Sequence, residues 1–197
     1  MMSSEKNPTR TRILSATRTL LETQGTAAVR MSDIAKAAKI SRQALYLHFP
    51  NRAELLRATV RWLDEVYDIE ERLRPSRSAP DGRTRLNAWI SVWGGYIPQI
   101  QGVARALQAM RDTDAEAKAA WDDRMTAVRH GCAAVVSALV ADGLLTPDLA
   151  EDEATDLLHA LLSVQTWEQL CKDSAWPQER YIAVMQQTAE RALIRTV

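Results

Sequence analysis

The feature that most constrains the fold is the stretch from Met31 to Leu55, which contains two short helical patterns about three residues apart. The first has small apolar residues at the spacing i, i+1 and i+4 that places them on one helix face: Ile34, Ala35 and Ala38. The second begins after Ser41, whose hydroxyl can cap a helix, and it directs Leu45 and Phe49 inward. Two such helices joined by a tight turn predict a helix-turn-helix, whose second helix fits the major groove of DNA.

The outer face of this second helix carries side chains that suit contacts with DNA. Arg42 can pair with guanine, Gln43 with adenine, and Ala44 can touch the methyl group of thymine, so these three residues are predicted to contact base edges. The residues predicted to contact phosphate oxygens carry single donors or positive charges: Tyr46, His48, Arg52, Lys6, Arg10 and Arg12. Two alternatives stay open at this point. Tyr46 and His48 can be core residues of a short helix, and the N-terminal basic residues can form a solvated tail.

The charge distribution agrees with contact between the N-terminal quarter and a polyanion. Residues 1–56 contain nine Lys or Arg against four Asp or Glu, whereas the remainder contains 16 against 21, so the net charges are +5 and −5 in a chain that is neutral as a whole. A basic end attracts nucleic acid electrostatically. A helix with a solvated basic face would produce a similar pattern, so the charge alone does not decide the function.

Helical patterns extend over the whole sequence, and the alternation typical of strands is missing. The first helix has Asn7 as its cap and Pro8 in its first turn, and the fourth begins after Asn51. We therefore predict an all-α fold of about nine helices, with a three-helix DNA-binding domain over residues 1–55 and a larger helical domain over residues 56–197. Residues 74–82, rich in Pro, Ser and Gly, are the best candidate for a long loop. The later helices are predicted at about 84–101, 103–111, 115–141, 147–172 and 177–196.

The run from Ile34 to Leu55 resembles the signature of the TetR/AcrR family of helix-turn-helix transcriptional regulators. The matching residues are Ile34, Ala35, Ala38, Ile40, Ser41, Leu45, Tyr46, His48, Phe49, Arg52 and Leu55. The resemblance implies a homodimeric repressor that binds an inverted-repeat operator in double-stranded DNA and is released by a small-molecule effector. An activator of the same fold would have the same signature. Two positions depart from the family pattern: Lys39 stands where Gly is most often found in the turn, and Arg30 where a capping Ser or Thr is common.

The C-terminal part contains large side chains that suit either a core or a pocket for an apolar or aromatic effector. Those predicted to line a pocket are Trp62, Trp89, Trp93, Tyr96, Trp121, Met125 and Trp167. The last two predicted helices have apolar faces that suggest a four-helix dimer interface, built from Leu157, Leu158, Leu161, Leu162, Tyr181, Met185, Ala189 and Leu193. Asp156 and His159 have a spacing that can hold a metal, but a solvated or interface pair is the expected arrangement.

Several classes of protein are disfavoured by what the sequence lacks. Neither a secretory signal nor a membrane-spanning stretch is present, so we expect a cytoplasmic protein without a membrane partner. The two cysteines form no metal-binding motif, and no known catalytic motif is recognisable, so neither a cofactor nor a metal nor enzymatic activity is expected. A helical ligand-binding module or enzyme without DNA binding is the alternative of a different class.

Overall fold

A computed structural model describes residues 7–24 and 29–195, and these residues are mainly helical. Within those ranges eleven α-helices and one π-helical turn, Glu168–Asp173 after α10, follow one another. The α-helices are α1 (Pro8–Gln24), α2 (Met31–Ala37), α3 (Arg42–His48), α4 (Arg52–Val66), α5 (Ile69–Arg72), α6 (Arg74–Arg77), α7 (Gly82–Met110), α8 (Ala115–Ala141), α9 (Glu151–Leu161), α10 (Val164–Trp167) and α11 (Gln178–Leu193). An isolated bridge joins Leu145 to Ile194, and the described residues contain no strand. The all-α prediction is confirmed.

The first and third helices begin where their capping residues predict. The side chain of Asn7 accepts hydrogen bonds from the backbone N–H groups of Thr9 and Arg10, at 3.1 and 3.3 Å. Ser41 Oγ accepts from the N–H of Ala44 at 3.1 Å and so caps α3. The side chain of Leu45 is fully buried, and α2 packs against both α1 and α3. These short helices therefore form the predicted helix-turn-helix.

The turn between α2 and α3 keeps its geometry without glycine. Lys39 has a φ of +54°, which is the left-handed conformation that glycine adopts most easily. Arg30 precedes α2 without a capping hydrogen bond from its side chain. Both departures from the family pattern are thus accommodated, and the cost at Lys39 is about 1–2 kcal/mol.

The later helices differ from the sequence prediction in three places. The candidate loop at residues 74–82 contains α6, where the Ser76 hydroxyl donates to the carbonyl of Arg85 at 3.1 Å. α7 is a single helix where two were predicted, because it runs through Gly102 without a break. Glu22 packs closely against this glycine, since a Cβ at position 102 would lie 2.9 Å from Glu22 Cγ. The predicted helix 147–172 is interrupted, since Ser163 caps α10 two residues after α9 ends.

The chain divides into two compact units. Unit 1 comprises the residues up to Val66 together with Gln101–Arg124, and unit 2 comprises Tyr67–Ile100 together with the residues from Met125 onward. The helix-turn-helix therefore shares its unit with α4 and with parts of α7 and α8. None of the described helices has the length and apolar character needed to cross a membrane.

The left-handed residue in the turn gives a stability prediction. Replacing Lys39 by Gly should raise the free energy of unfolding by about 0.5–1 kcal/mol, because relief of the strained backbone outweighs the greater freedom of the unfolded chain. Lys36→Gly is the matched control, and it should lower the same quantity by about 1 kcal/mol because Lys36 lies within α2. Urea denaturation followed by circular dichroism measures both. If both variants lost the same free energy of unfolding, the left-handed conformation assigned to Lys39 would be contradicted.

Candidate nucleic-acid interface and effector site

The recognition helix α3 has one buried face and one exposed face. Leu45 points into the core, and two residues of an α-helix turn through about 200°, so Gln43 and Leu47 both lie opposite Leu45. Arg42 and Tyr46 are exposed along one side of this face, whereas Ala44 and His48 are half-buried along the other. The outer face of α3 is therefore a ridge of Gln43 and Leu47 with different neighbours on its two flanks.

A cleft of about 630 Å³ lies on the Arg42 side of the ridge. Its lining is mostly polar and basic, and includes Arg30, Ser32, Arg42, Tyr46, Asn51, Arg52 and Glu116. The Arg42 guanidinium lies 5.6 Å from the centroid of the Tyr46 ring, and a 3.4 Å hydrogen bond to the Tyr46 hydroxyl raises the pKa of Arg42. Arg30 and Ser32 were not among the predicted site residues. The sequence signal that could have identified Arg30 and Ser32 is their position just before α2 and in its first turn.

Arg52 occupies a different environment from the solvent-facing one that a phosphate contact predicts. Its side chain is only 11% exposed, and Nη1 lies 2.8 Å from Asp114 and 3.1 Å from Glu116. Nε donates to the carbonyl of Val29 at 2.5 Å, while Nη2 is buried without a partner among the described residues. Arg52 therefore binds two carboxylates at the start of α8, and a phosphate would have to compete with them.

A second cleft, of about 330 Å³, lies on the His48 side of α3. Its basic lining residues are Arg10, His48, Arg57 and Arg61. The Arg10 guanidinium lies over the Phe49 ring at 5.1 Å from its centroid. Arg57 forms an ion pair with Glu54, and Arg61 lies 3.1 Å from Asp123, so part of this charge is neutralised internally.

Arg12, which was also predicted to contact phosphate, does not line either cleft. Arg12 donates through Nε to the carbonyl of Ala38 at 2.9 Å, so it braces the end of α2. Lys6 lies outside the described residues.

Most of the predicted pocket residues lie in unit 2, where four aromatic side chains are buried: Trp89, Trp93, Tyr96 and Trp167. The rings of Trp93 and Tyr96 meet edge to face, with their centroids 5.9 Å apart. Trp93 donates to the carbonyl of Leu162 at 2.6 Å, and Trp167 donates to the Gln178 side chain at 2.8 Å. Met125 is half-buried in the same unit. Trp62 and Trp121 belong to unit 1, so the predicted set does not form one cluster within a unit.

Three polar atoms in unit 2 are buried without a nitrogen or oxygen hydrogen-bond partner among the described residues: Nε of Arg85, the indole N–H of Trp89 and the hydroxyl of Tyr181. The Trp89 indole interacts with the Cys132 sulfur. Burial raises the pKa of Tyr181, so its hydroxyl stays protonated. Trp89 packs directly on Gly131, where a Cβ would lie 2.0 Å from the indole ring. Buried donors without acceptors are costly, which makes the Tyr181 hydroxyl a candidate for contact with a bound molecule.

Six of the eight residues predicted at the dimer interface are buried within the single chain: Leu158, Leu162, Tyr181, Met185, Ala189 and Leu193. Leu157 and Leu161 are half-buried. An interface that uses α9 and α11 would therefore consist of Leu157, Leu161 and other half-exposed residues of these helices. Asp156, the potential metal ligand, forms an ion pair with Arg129 at 2.7 Å, and burial lowers the pKa of His159.

The fold contains a helix-turn-helix whose second helix has an exposed outer face, which is the arrangement of a DNA-binding domain. Residues 13–59 match the family model of the bacterial regulatory proteins of the tetR family. The regulator EthR of Mycobacterium tuberculosis is 32% identical over 130 residues, which cover 64% of this chain and 59% of EthR. The part of the chain that contains the helix-turn-helix is therefore similar to the tetR family. It spans little more than half the length of the curated relatives it matches.

Solved structures of such regulators share the fold over nearly the whole chain. NalD, the secondary repressor of the MexAB-OprM multidrug efflux pump in Pseudomonas aeruginosa, has a TM-score of 0.69 at 22% identity and covers 96% of this chain and 98% of its own. FadR from Bacillus subtilis, solved with stearoyl-CoA, has a TM-score of 0.74 at 15% identity and covers 92% of this chain and 98% of its own. At these identities the similarity establishes the fold alone.

The environment of Arg52 gives a second stability prediction. Arg52→Ala should lower the free energy of unfolding by about 3 kcal/mol, because it leaves the poorly exposed carboxylate of Asp114 without its partner. Arg61→Ala removes an ion pair whose arginine is 67% exposed, and it should cost less than about 1 kcal/mol. Urea denaturation compares the two variants. If both variants lose the same free energy of unfolding, the Arg52 ion pair does not stabilise the fold more than an exposed ion pair does.

Proposed function

We propose that this chain is a transcriptional repressor that binds an inverted-repeat operator in double-stranded DNA as a homodimer and is released by a small effector. The observation that carries the proposal is the exposed ridge of α3 between two clefts lined with arginine. The match of residues 13–59 to the tetR family model supports it, as does the likeness of the fold to that of NalD, a repressor.

The clefts suit phosphates on both sides of a groove, with α3 lying between them. We assign Arg30, Arg42 and Tyr46 to one strand of the duplex, and Arg10 and His48 to the other. Arg10, Arg30 and Arg42 form no ion pair with any described residue, so their charge is available to replace counterions on DNA. In this proposal residues 1–55 are the DNA-binding domain, Gln43 contacts base edges, and Ala44 lies beside them. Arg42 can reach a base only if its guanidinium breaks its hydrogen bond with the Tyr46 hydroxyl.

The proposed dimer presents two such domains to successive major grooves, about 34–36 Å apart. The proposed effector binds in unit 2 near Tyr181, whose buried hydroxyl without an acceptor favours an apolar molecule that also carries a hydrogen-bond acceptor. FadR, which has the same fold, holds such a molecule, stearoyl-CoA. The bound effector would favour a state of the dimer that does not match the operator.

DNA binding is tested with duplexes selected from a random pool by the full chain. Arg30→Ala and Arg10→Ala should each weaken all duplexes alike and reduce the slope of log affinity against log salt by about 0.9 per lost phosphate contact. Gln43→Ala should instead reduce discrimination at one base pair, by about 1–3 kcal/mol. Fluorescence anisotropy at several salt concentrations measures both quantities.

Arg83→Ala is the matched control for this experiment. It removes the same charge from an exposed arginine of unit 2 that pairs with Glu190, so neither the affinity nor the salt slope should change. Failure of the pool to yield any inverted repeat that binds more tightly than a scrambled duplex would overturn the proposed function.

The effector proposal is tested through the hydroxyl of Tyr181. Tyr181→Phe should raise the stability of the ligand-free protein by about 1 kcal/mol, because it removes a buried donor without an acceptor. Fatty acids should raise the melting temperature of the wild type and weaken its binding to the selected duplex, whereas alkyl trimethylammonium ions of equal length lack the acceptor and should do neither. In Tyr181→Phe the two compound classes should no longer differ in their effects on the melting temperature and on DNA binding. An unchanged preference in this variant would exclude Tyr181 from the effector site.

A further inference from the structure

Leu47 is the most exposed large apolar side chain in the described part of the protein. It is 88% exposed, whereas Tyr46, Val66 and Val140 range from 38% to 43%. Single exposed apolar residues are common on protein surfaces, so this exposure by itself indicates no function. The position of Leu47 on α3 distinguishes it from the others.

Leu47 lies one helical turn after Gln43, on the ridge opposite Leu45. Cationic side chains are found on both flanks of this ridge, with Arg30 and Arg42 in one cleft and Arg10 in the other. A surface flanked by cations in this way is complementary to the two phosphate strands that border a groove. The ridge between them therefore faces the floor of that groove, where the base edges lie.

We infer that Leu47 is a specificity-determining residue that contacts the C5-methyl group of a thymine in each operator half-site. This inference rests on the proposed function. In the major groove, thymine is the only base that presents a methyl group, while the other groups at the base edges are hydrogen-bond donors and acceptors. A leucine side chain offers no hydrogen bond, so it would desolvate those polar groups without compensation and discriminate against them.

The experiment removes the methyl group from the DNA and keeps every hydrogen-bonding group. Duplexes selected by the full chain should have a thymine at one fixed position in each half-site, and deoxyuridine is placed there instead. The wild type should lose about fourfold in affinity per methyl group, and about fifteenfold when both half-sites are changed. Leu47→Ala should bind the thymine and deoxyuridine duplexes with equal affinity.

Gln43→Ala is the matched control, because it alters the same ridge and leaves Leu47 in place. This variant should keep the full preference for thymine over deoxyuridine. Leu47→Ala removes a side chain that faces solvent, so its circular dichroism spectrum and unfolding midpoint should equal those of the wild type.

The outcomes separate this inference from the proposed function. If no duplex is enriched, the proposed function fails. If a duplex is enriched but has no preferred thymine, or the wild type binds deoxyuridine equally well, the inference about Leu47 fails while operator binding stands. A methyl preference that persists in Leu47→Ala also overturns the inference, since another side chain must then contact the methyl group.

Discussion

The position of the helix-turn-helix depends on the burial of one positive charge. The Arg52 guanidinium is removed from water, and burying a charge is costly unless it is paired and hydrogen-bonded. Asp114, Glu116 and the carbonyl of Val29 provide that compensation. Asp114 also accepts from the N–H groups of Glu116 and Ala117, so the carboxylate that pairs with Arg52 caps α8 as well. The segment before α2, the start of α4 and the start of α8 are thereby held by a single set of contacts.

This arrangement divides the basic residues of the N-terminal quarter into two groups with different tasks. Arg52 and Arg12 are bound to carboxylates or carbonyls of the protein, and they stabilise the unit. Arg10, Arg30 and Arg42 form no ion pair within the described residues and line the clefts beside α3. The net charge of residues 1–56 therefore overstates the charge that DNA would meet. Of these two groups, the second is the one whose charge is not neutralised within the protein.

Local signals in the sequence predicted the helix-turn-helix well, because its boundaries depend on neighbours in the chain. Asn7 and Ser41 cap helices through hydrogen bonds to residues two or three positions later, and Lys39 was identified as the residue with unusual backbone geometry. Contacts between distant residues were not predictable in this way. The partners of Arg52 lie 62 and 64 positions later, and no spacing rule relates them. The predicted break between residues 101 and 103 is absent, and the sequence does not reveal that Glu22, 80 positions earlier, packs against Gly102.

The same distinction explains why the framework of the interface was easier to predict than its specificity. A helix of seven residues is unstable in isolation, so α3 depends on the Ser41 cap and on the burial of Leu45. These contacts restrict the inner face of α3 to few residue types, and the sequence pattern records the restriction. The outer face contributes little to folding, and Gln43 and Leu47 are free to be any residue that the bound surface requires. Leu47 is therefore distinguished by its exposure together with its position on the ridge of α3, and no sequence pattern marks it.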